Sequence, residues 1–199
     1  MRKVLILYYS RHGSIRQLSS AVAKGVEQAG CEAVLRTVPS VSTVCEAVES
    51  EIPETGDVYA TLDDLENCDG LILGSPTRFG SIAAPLKYFF DQSTSMWLKG
   101  TLSDKPSAVF TSSGSLHGGQ ESTLLSMMLP LLHHGMVVLG IPFHDSPLSQ
   151  TKTGGTPYGA SHVAGEDSNP QLSNDEQLAA EILGRRVANA AKALSGNPL

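Results

Sequence analysis

Residues Val4-Leu5-Ile6-Leu7-Tyr8-Tyr9 form an unbroken apolar run that stops at Ser10 and passes at once into helical spacing. A run without polar alternation belongs to a strand covered on both faces, as in a parallel sheet. The stretch after it puts Ile15, Leu18, Val22, Val26 and Ala29 at helical spacing, and Gly30 ends it. A strand feeding directly into a helix starts a βαβ unit, which restricts the chain to layered α/β architectures.

The same alternation continues. Further strands are predicted at Glu32 to Val38, Gly70 to Gly74, Ser107 to Thr111 and Met136 to Leu139. Thr61 with Asp64 has the spacing of a capping box, and so does Ser173 with Glu176, so helices are predicted to start at both places. The second of these helices runs to about Leu194. Two more helices are predicted over Ile82 to Asp91, with Pro85 in the first turn where its missing N–H does no harm, and over Glu121 to His134. Five strands alternating with helices predict a doubly wound parallel sheet of order 2-1-3-4-5 with helices on both faces.

The 199 residues fit one domain, 1–199, with inserts at about 39–60 and 141–172. The first insert is polar and carries Pro53 and Gly56 without a strong period. The second is rich in Pro and Gly, and an irregular stretch that long in a compact domain is usually functional. It is expected to serve a site or an interface.

Charge excludes several classes of function. A formal net charge of −6 gives no advantage on nucleic acid or anionic membranes, which recruit basic clusters. No apolar run has the length of a bilayer span or of a signal-peptide core, so stable membrane insertion is not expected. Cys31, Cys45 and Cys68 make an odd set with no CxxC spacing, the pattern of reduced thiols, and a cytoplasmic location is expected. Six histidines show neither HxxxH nor HExxH spacing and no cysteine pair joins them, so no metal site is expected.

Chemistry is expected where three strands end in small, polar loops. After the first come Ser10-Arg11-His12-Gly13-Ser14-Ile15, at the start of a helix whose free N–H groups suit a phosphate. The loop lacks the Walker A lysine and the GxGxxG pattern, which disfavours a nucleoside triphosphate with magnesium. Taken alone it can equally be a strand–helix turn whose serine caps the helix. After the third strand come Ser75-Pro76-Thr77-Arg78-Phe79-Gly80, a turn with a hydroxyl, a cation and a ring able to flank a planar ligand. After the fourth come Ser112-Ser113-Gly114-Ser115-Leu116-His117-Gly118-Gly119, a source of backbone N–H donors or simply a flexible linker. His133 and His134, before Gly135, suit a helix C-terminus, and the single tryptophan Trp97 suits a packing or interface anchor.

Several of these stretches carry a resemblance. Val4 to Ser10, Gly74-Ser75-Pro76-Thr77-Arg78-Phe79-Gly80, Gly118-Gly119-Gln120-Glu121, His133-His134-Gly135-Met136 and Gly154-Gly155-Thr156-Pro157-Tyr158-Gly159-Ala160 follow one another in order along nearly the whole chain. Together they resemble the WrbA-type NAD(P)H:quinone oxidoreductases of the flavodoxin-like superfamily. The resemblance implies FMN as cofactor, with Ser10, Arg11, His12, Gly13, Ser14 and Ile15 at its phosphate. It implies Pro76, Thr77, Arg78, Phe79 and Gly80 at the ring, and Ser112, Ser113, Gly114, Ser115, His117 and Gly118 at the ring's polar edge. His133 would lie near the flavin, from a neighbouring subunit or a helix end, and act on the quinone. Trp97 would wall the quinone site, and His12 would face the nicotinamide. His12 stands where the family pattern often has an aromatic residue, and the 112–119 loop is one residue longer, with Leu116-His117 in place of a glycine run.

The activity implied is two-electron, ping-pong reduction of a quinone by NADH or NADPH, in a homotetramer with active sites near subunit interfaces. Two other readings stand beside it. One is a flavodoxin-type electron carrier or flavin-dependent binding module. The other is a hydrolase using Ser113 or Ser115, for which the GxSxG elbow is missing.

Overall fold

The computed structural model describes residues 1–41, 52–144 and 146–194, so Cys45 lies outside the described residues. β1 (Lys3–Tyr8), β2 (Glu32–Thr37), β3 (Gly70–Pro76), β4 (Pro106–Ser113) and β5 (Val137–Val138) form a parallel sheet in the order β2-β1-β3-β4-β5. The predicted order is therefore the observed one. Between the strands run α1 (Ser14–Gln28), α2 (Leu62–Glu66), α3 (Ala84–Asp91), α4 (Thr94–Lys99) and α5 (Gln120–His133).

Two departures concern the fifth position. β5 has only two residues, paired with Pro106 and Ser107 at the start of β4. A further strand, β6 (Ala160–Val163), pairs with Phe110 to Ser113 farther along the same edge of β4. The fifth position is thus shared by two short strands, and the 141–172 stretch between them is not all irregular: it holds β6 and a 3-10 turn at Pro147–Ser149. β6 escaped the sequence reading because Ala160-Ser161-His162-Val163 is short and half polar; its burial comes from β4, α1 and the final helix, α6 (Asn174–Leu194). α4 was also missed.

Period-two strands sort the core into two layers. Val4, Ile6 and Tyr8 of β1 face a cluster with Ile15, Leu18, Val22 and Val26 of α1 and Leu183 and Val187 of α6. Leu5 and Leu7 face the other cluster, with Leu86, Phe89 and Phe90 of α3 and Leu124, Met127 and Leu131 of α5. Leu7, Leu18, Leu73 and Leu86 are wholly buried, each contributing about 1.5–3 kcal/mol of transfer free energy. Both predicted capping boxes form. Thr61 and Asp64 bond reciprocally at 3.2 and 2.9 Å, and Ser173 and Glu176 at 3.2 and 2.8 Å.

This arrangement fixes two functional edges. In a parallel sheet every strand ends on the same side, so the loops after β1, β3 and β4 meet there. α5 starts at that edge and returns over about 20 Å, so its last residue, His133, lies at the opposite edge.

Candidate functional site

The loop after β1 is shaped by its glycine. Gly13 has φ +94°, a left-handed conformation that turns the chain from strand into helix, and its N–H donates to Ser10 Oγ at 3.2 Å. Gly13 is followed by Ser14, which is buried and whose Oγ has no hydrogen-bond partner. A buried hydroxyl left without a partner costs about 1–3 kcal/mol, an outlay compensated when a ligand supplies the missing acceptor. Beside it lie the N–H groups of the first turn of α1, which have no partner within the helix.

The other two loops close around this point. Thr77 N–H donates to Ser112 O at 3.0 Å and Thr123 Oγ1 to Thr77 Oγ1 at 2.7 Å, joining the loops after β3 and β4. Arg78 Nη1 folds back onto the Thr77 carbonyl at 2.8 Å. Arg78 and Ser81 exchange backbone bonds at 2.9 and 3.0 Å, leaving Phe79 fully exposed at the tip with φ +51°. An exposed aromatic held in the left-handed region is a strained feature of the sort that clusters at ligand sites. A Cβ on Gly119 would stand 3.0 Å from the Gly80 Cα, so this close approach of the two loops needs glycine.

A cavity of about 140 Å³ results, lined by Ser10, Arg11, His12, Ser14 and Ile15, by Pro76, Thr77 and Arg78, and by Ser112, Ser113 and Gly114. Three loops distant in sequence are thus brought to one place, as expected. Its remaining wall was not anticipated: Ala164, Gly165 and Ser168, from the stretch after β6. The only sequence signal for it was the glycine- and proline-rich composition of the second insert. Phe79, Gly80, Ser115, His117 and Gly118 lie outside this cavity, and Phe79, Ser115 and His117 are exposed.

Among the described residues no base is hydrogen-bonded to Ser113. Its hydroxyl donates to Ser115 O at 2.7 Å and accepts from Gln120 Nε2 at 2.8 Å, an arrangement that orients the loop and removes the support for Ser113 as a hydrolase nucleophile.

His133 and Trp97 do not join the cavity within one chain. They line a second cavity, of about 460 Å³, with Lys87, Phe90, Asp91, Ser93, Thr94, Leu129, Pro130 and His134. Trp97 Nε1 donates to the His133 carbonyl at 2.8 Å. His134 is a structural residue, as expected: its Nε2 meets Ser93 Oγ at 2.9 Å and its ring packs edge-on to Phe90. Burial, and then the neighbouring His133, hold its pKa below the usual histidine value. Within one chain His133 lines this second cavity and not the one at the strand ends.

Among the described residues no cluster of His, Cys, Asp or Glu could hold a metal, and no helix is long and apolar enough to cross a membrane. Cys31 and Cys68 are buried free thiols; burial pushes the Cys68 thiol up to about 11.

Comparison with known proteins agrees with this geometry. Residues 2–144 match the family model described as NADPH-dependent FMN reductase. The chain is 42% identical to an NAD(P)H dehydrogenase (quinone) of Sinorhizobium fredii and 41% identical to one of Gluconacetobacter diazotrophicus, covering 98% of this chain and 100% of the relative in both cases. Among solved structures, a WrbA-like flavodoxin from Agrobacterium tumefaciens superposes with a TM-score of 0.67 at 24% identity, over 97% of this chain and 99% of that one. A flavodoxin from the domain Archaea gives 0.63 at 17% identity, over 96% and 99%. With strand order, ligand edge and sequence all in agreement, the chain belongs to the NADPH-dependent FMN reductase family, among relatives that are NAD(P)H dehydrogenases (quinone).

Proposed function

We propose that the chain is an FMN-dependent NAD(P)H:quinone oxidoreductase that carries two electrons from NADH or NADPH to a quinone. The observation that supports it best is the partnerless, buried Ser14 hydroxyl at the first turn of α1, inside a cavity built from three strand-end loops. That donor set suits a phosphate monoester, and FMN carries one.

On this reading Ser10 to Ile15 hold the phosphate, with the Arg11 and His12 side chains at the rim. The turn Pro76 to Gly80 and the loop Ser112 to Gly118 are assigned to the ring system. When bound, FMN supplies the hydride- and electron-accepting chemistry. The chain's own work is to bind and orient. Thr123 fixes the Thr77 hydroxyl, Gln120 fixes Ser113, and backbone N–H groups of the 112–118 loop present donors to an electron-rich ring edge. His12 is assigned to the nicotinamide.

His133 and Trp97 are assigned to the quinone side of a neighbouring subunit's site. The support is their position at the far edge of the sheet, beside exposed Leu98, Leu129 and Leu132. An exposed apolar strip of this kind favours self-association, and a homotetramer is the state proposed. His133 there would donate a hydrogen bond or proton to a quinone oxygen. The 199 residues are read as one domain with inserts at about 39–60 and 141–172, working in the cytoplasm. One cavity serving two substrates in turn gives ping-pong kinetics.

The test is direct. The purified protein should show flavin absorbance, bind FMN, and oxidise NADH or NADPH in the presence of a quinone. A colourless protein that cannot be loaded with FMN overturns the reading. Unchanged quinone turnover in His133→Ala removes His133 from it.

A further inference from the structure

We propose that His162 is a positioning residue for the phosphate-binding cavity: held between Glu176 and Asn169, its imidazole fixes the 164–169 segment that closes the cavity opposite the Ser10–Ile15 loop. The inference rests on the FMN reading above, which makes that cavity the seat of a phosphate.

His162 lies on β6, and both of its ring nitrogens face acceptors. Nδ1 is 3.0 Å from Glu176 Oε2, and Nε2 is 2.8 Å from the Asn169 carbonyl. An imidazole bonded to two acceptors carries both protons. Glu176 answers as a carboxylate. Its Oε1 accepts the N–H groups of Gly154 and Val163 at 2.9 and 3.0 Å, and its Oε2 accepts that of Ser173 at 2.8 Å as well as His162. Both side chains are 2% exposed. A capping box needs only the Ser173 contacts, so the histidine has another use. Buried ion pairs add little net stability over well-packed apolar groups, and their best-attested service is to fix one geometry among several.

The geometry fixed here is that of the cavity wall. Ala164, Gly165 and Ser168 line the cavity, and the segment includes left-handed conformations at Gly165 (φ +71°) and at Ser168 (φ +53°). The second is costly for a residue with a Cβ and persists only where its surroundings hold it. One anchor is at the entry, where Ala164 N–H donates to Ser113 O at 2.8 Å. The exit is held at Asn169, whose N–H donates to Ala164 O at 2.8 Å and whose carbonyl accepts a hydrogen bond from His162 Nε2. The next residue reaches the phosphate loop, since a Cβ on Gly13 would stand 3.5 Å from Pro170 Cβ. The imidazole thus ties the far wall to the same framework as the loop it faces.

The experiment compares two flavins that differ only at the phosphate. FMN and riboflavin are titrated into wild-type protein and His162→Gln, with flavin fluorescence as the readout. Gln keeps a polar side chain of similar size but donates no charged hydrogen bond. The expected result is FMN affinity lowered about tenfold in the variant with riboflavin affinity unchanged. Equal loss for both flavins, or no loss for either, overturns the proposal. Wild-type protein that binds no FMN overturns the cofactor reading and the proposal with it, an outcome recognisable without the variant. A second measurement covers a variant that does not fold. In the wild type, hydrogen exchange across 164–169 should slow on adding FMN but not riboflavin, and identical exchange with both overturns the proposal.

Discussion

The two edges of the sheet contrast in what their polar groups are already doing. At the strand-end edge a small cavity of about 140 Å³ keeps a buried hydroxyl and a helix's first turn uncommitted. At the other edge a cavity of about 460 Å³ is lined by Trp97, Phe90 and two histidines, yet the Trp97 N–H is bonded to His133 O and His134 Nε2 to Ser93. Each edge thus keeps one buried polar atom without a partner, Ser14 Oγ at the first and His134 Nδ1 at the second. Only Ser14 stands beside the free N–H groups of a helix's first turn, while the larger space is bordered by exposed apolar side chains. Size does not locate a polar ligand site; several uncommitted donors gathered at one point do.

That contrast can be broken from either side. The largest effect is expected at the buried pair behind the strand-end cavity. Glu176→Gln leaves the His162 charge without its partner and should lower unfolding free energy by about 3–5 kcal/mol in a denaturant titration. Retained stability would remove the pair from the framework.

The same pair contributes most to stability within a window of pH. Burial pushes the Glu176 carboxyl up, but the His162 hydrogen bond and the three backbone N–H groups outweigh it and bring the group down to about 2 from 4.5. Its contribution is complete above about 4.5 and is lost as pH falls toward 2. Burial pulls the His162 imidazole down, while Glu176 and the Asn169 carbonyl outweigh that and raise it above 6.5. This contribution is complete below 6.5 and is lost as pH rises through the raised value. The loss of melting temperature caused by His162→Gln should therefore be largest between pH 4.5 and 6.5, and a loss still growing through pH 8 would contradict the assignment.

At the opposite edge Ser93→Ala removes the hydroxyl that meets His134 Nε2 and should cost about 1–3 kcal/mol of stability. FMN affinity should be untouched, because Ser93 belongs to the other cavity; a fall in both would mean that the edges are coupled within one chain. The smallest change in fold is expected from Ser14→Ala. Removing a buried hydroxyl that has no partner should raise the stability of the flavin-free protein by about 1 kcal/mol while weakening FMN about tenfold, measured by melting and by fluorescence titration. The reverse pattern would make Ser14 a structural residue.

How much of this was legible in the sequence depended on the range of the forces involved. Val4 to Tyr9 declared a central strand because burial on both faces forces an unbroken apolar run. Thr61 and Ser173 declared helix starts because capping is satisfied within four residues. The three strand-end loops were legible for the same reason, as local breaks between periodic segments. β6 was not, since Ser161 and His162 are buried because β4, α1 and α6 cover them. The role of His162 was equally hidden. Its partners stand 14 and 7 residues away, and nothing in the spacing distinguishes it from a surface histidine. The placement of His133 was half legible: the helix end was found, but the side of the sheet on which it falls depends on the whole crossover.

The divided fifth strand has a consequence for how such a molecule can vary. The chain leaves the sheet after β5 and rejoins it at β6, and near these points Ile141 N–H is bonded to Pro157 O at 2.9 Å. Exit and return are stitched together, so the excursion between them is a closed loop hung on the sheet's edge. Its length and composition can drift with little entropic penalty, because closure cost grows only with the logarithm of length. The cavity wall lies beyond the return point, and because Gly154 N–H donates to Glu176 Oε1 and Gly155 N–H to Ser161 Oγ, the drift is confined to the part of the excursion before Gly154. Outward-facing contacts can be rebuilt without retuning the grip on the phosphate.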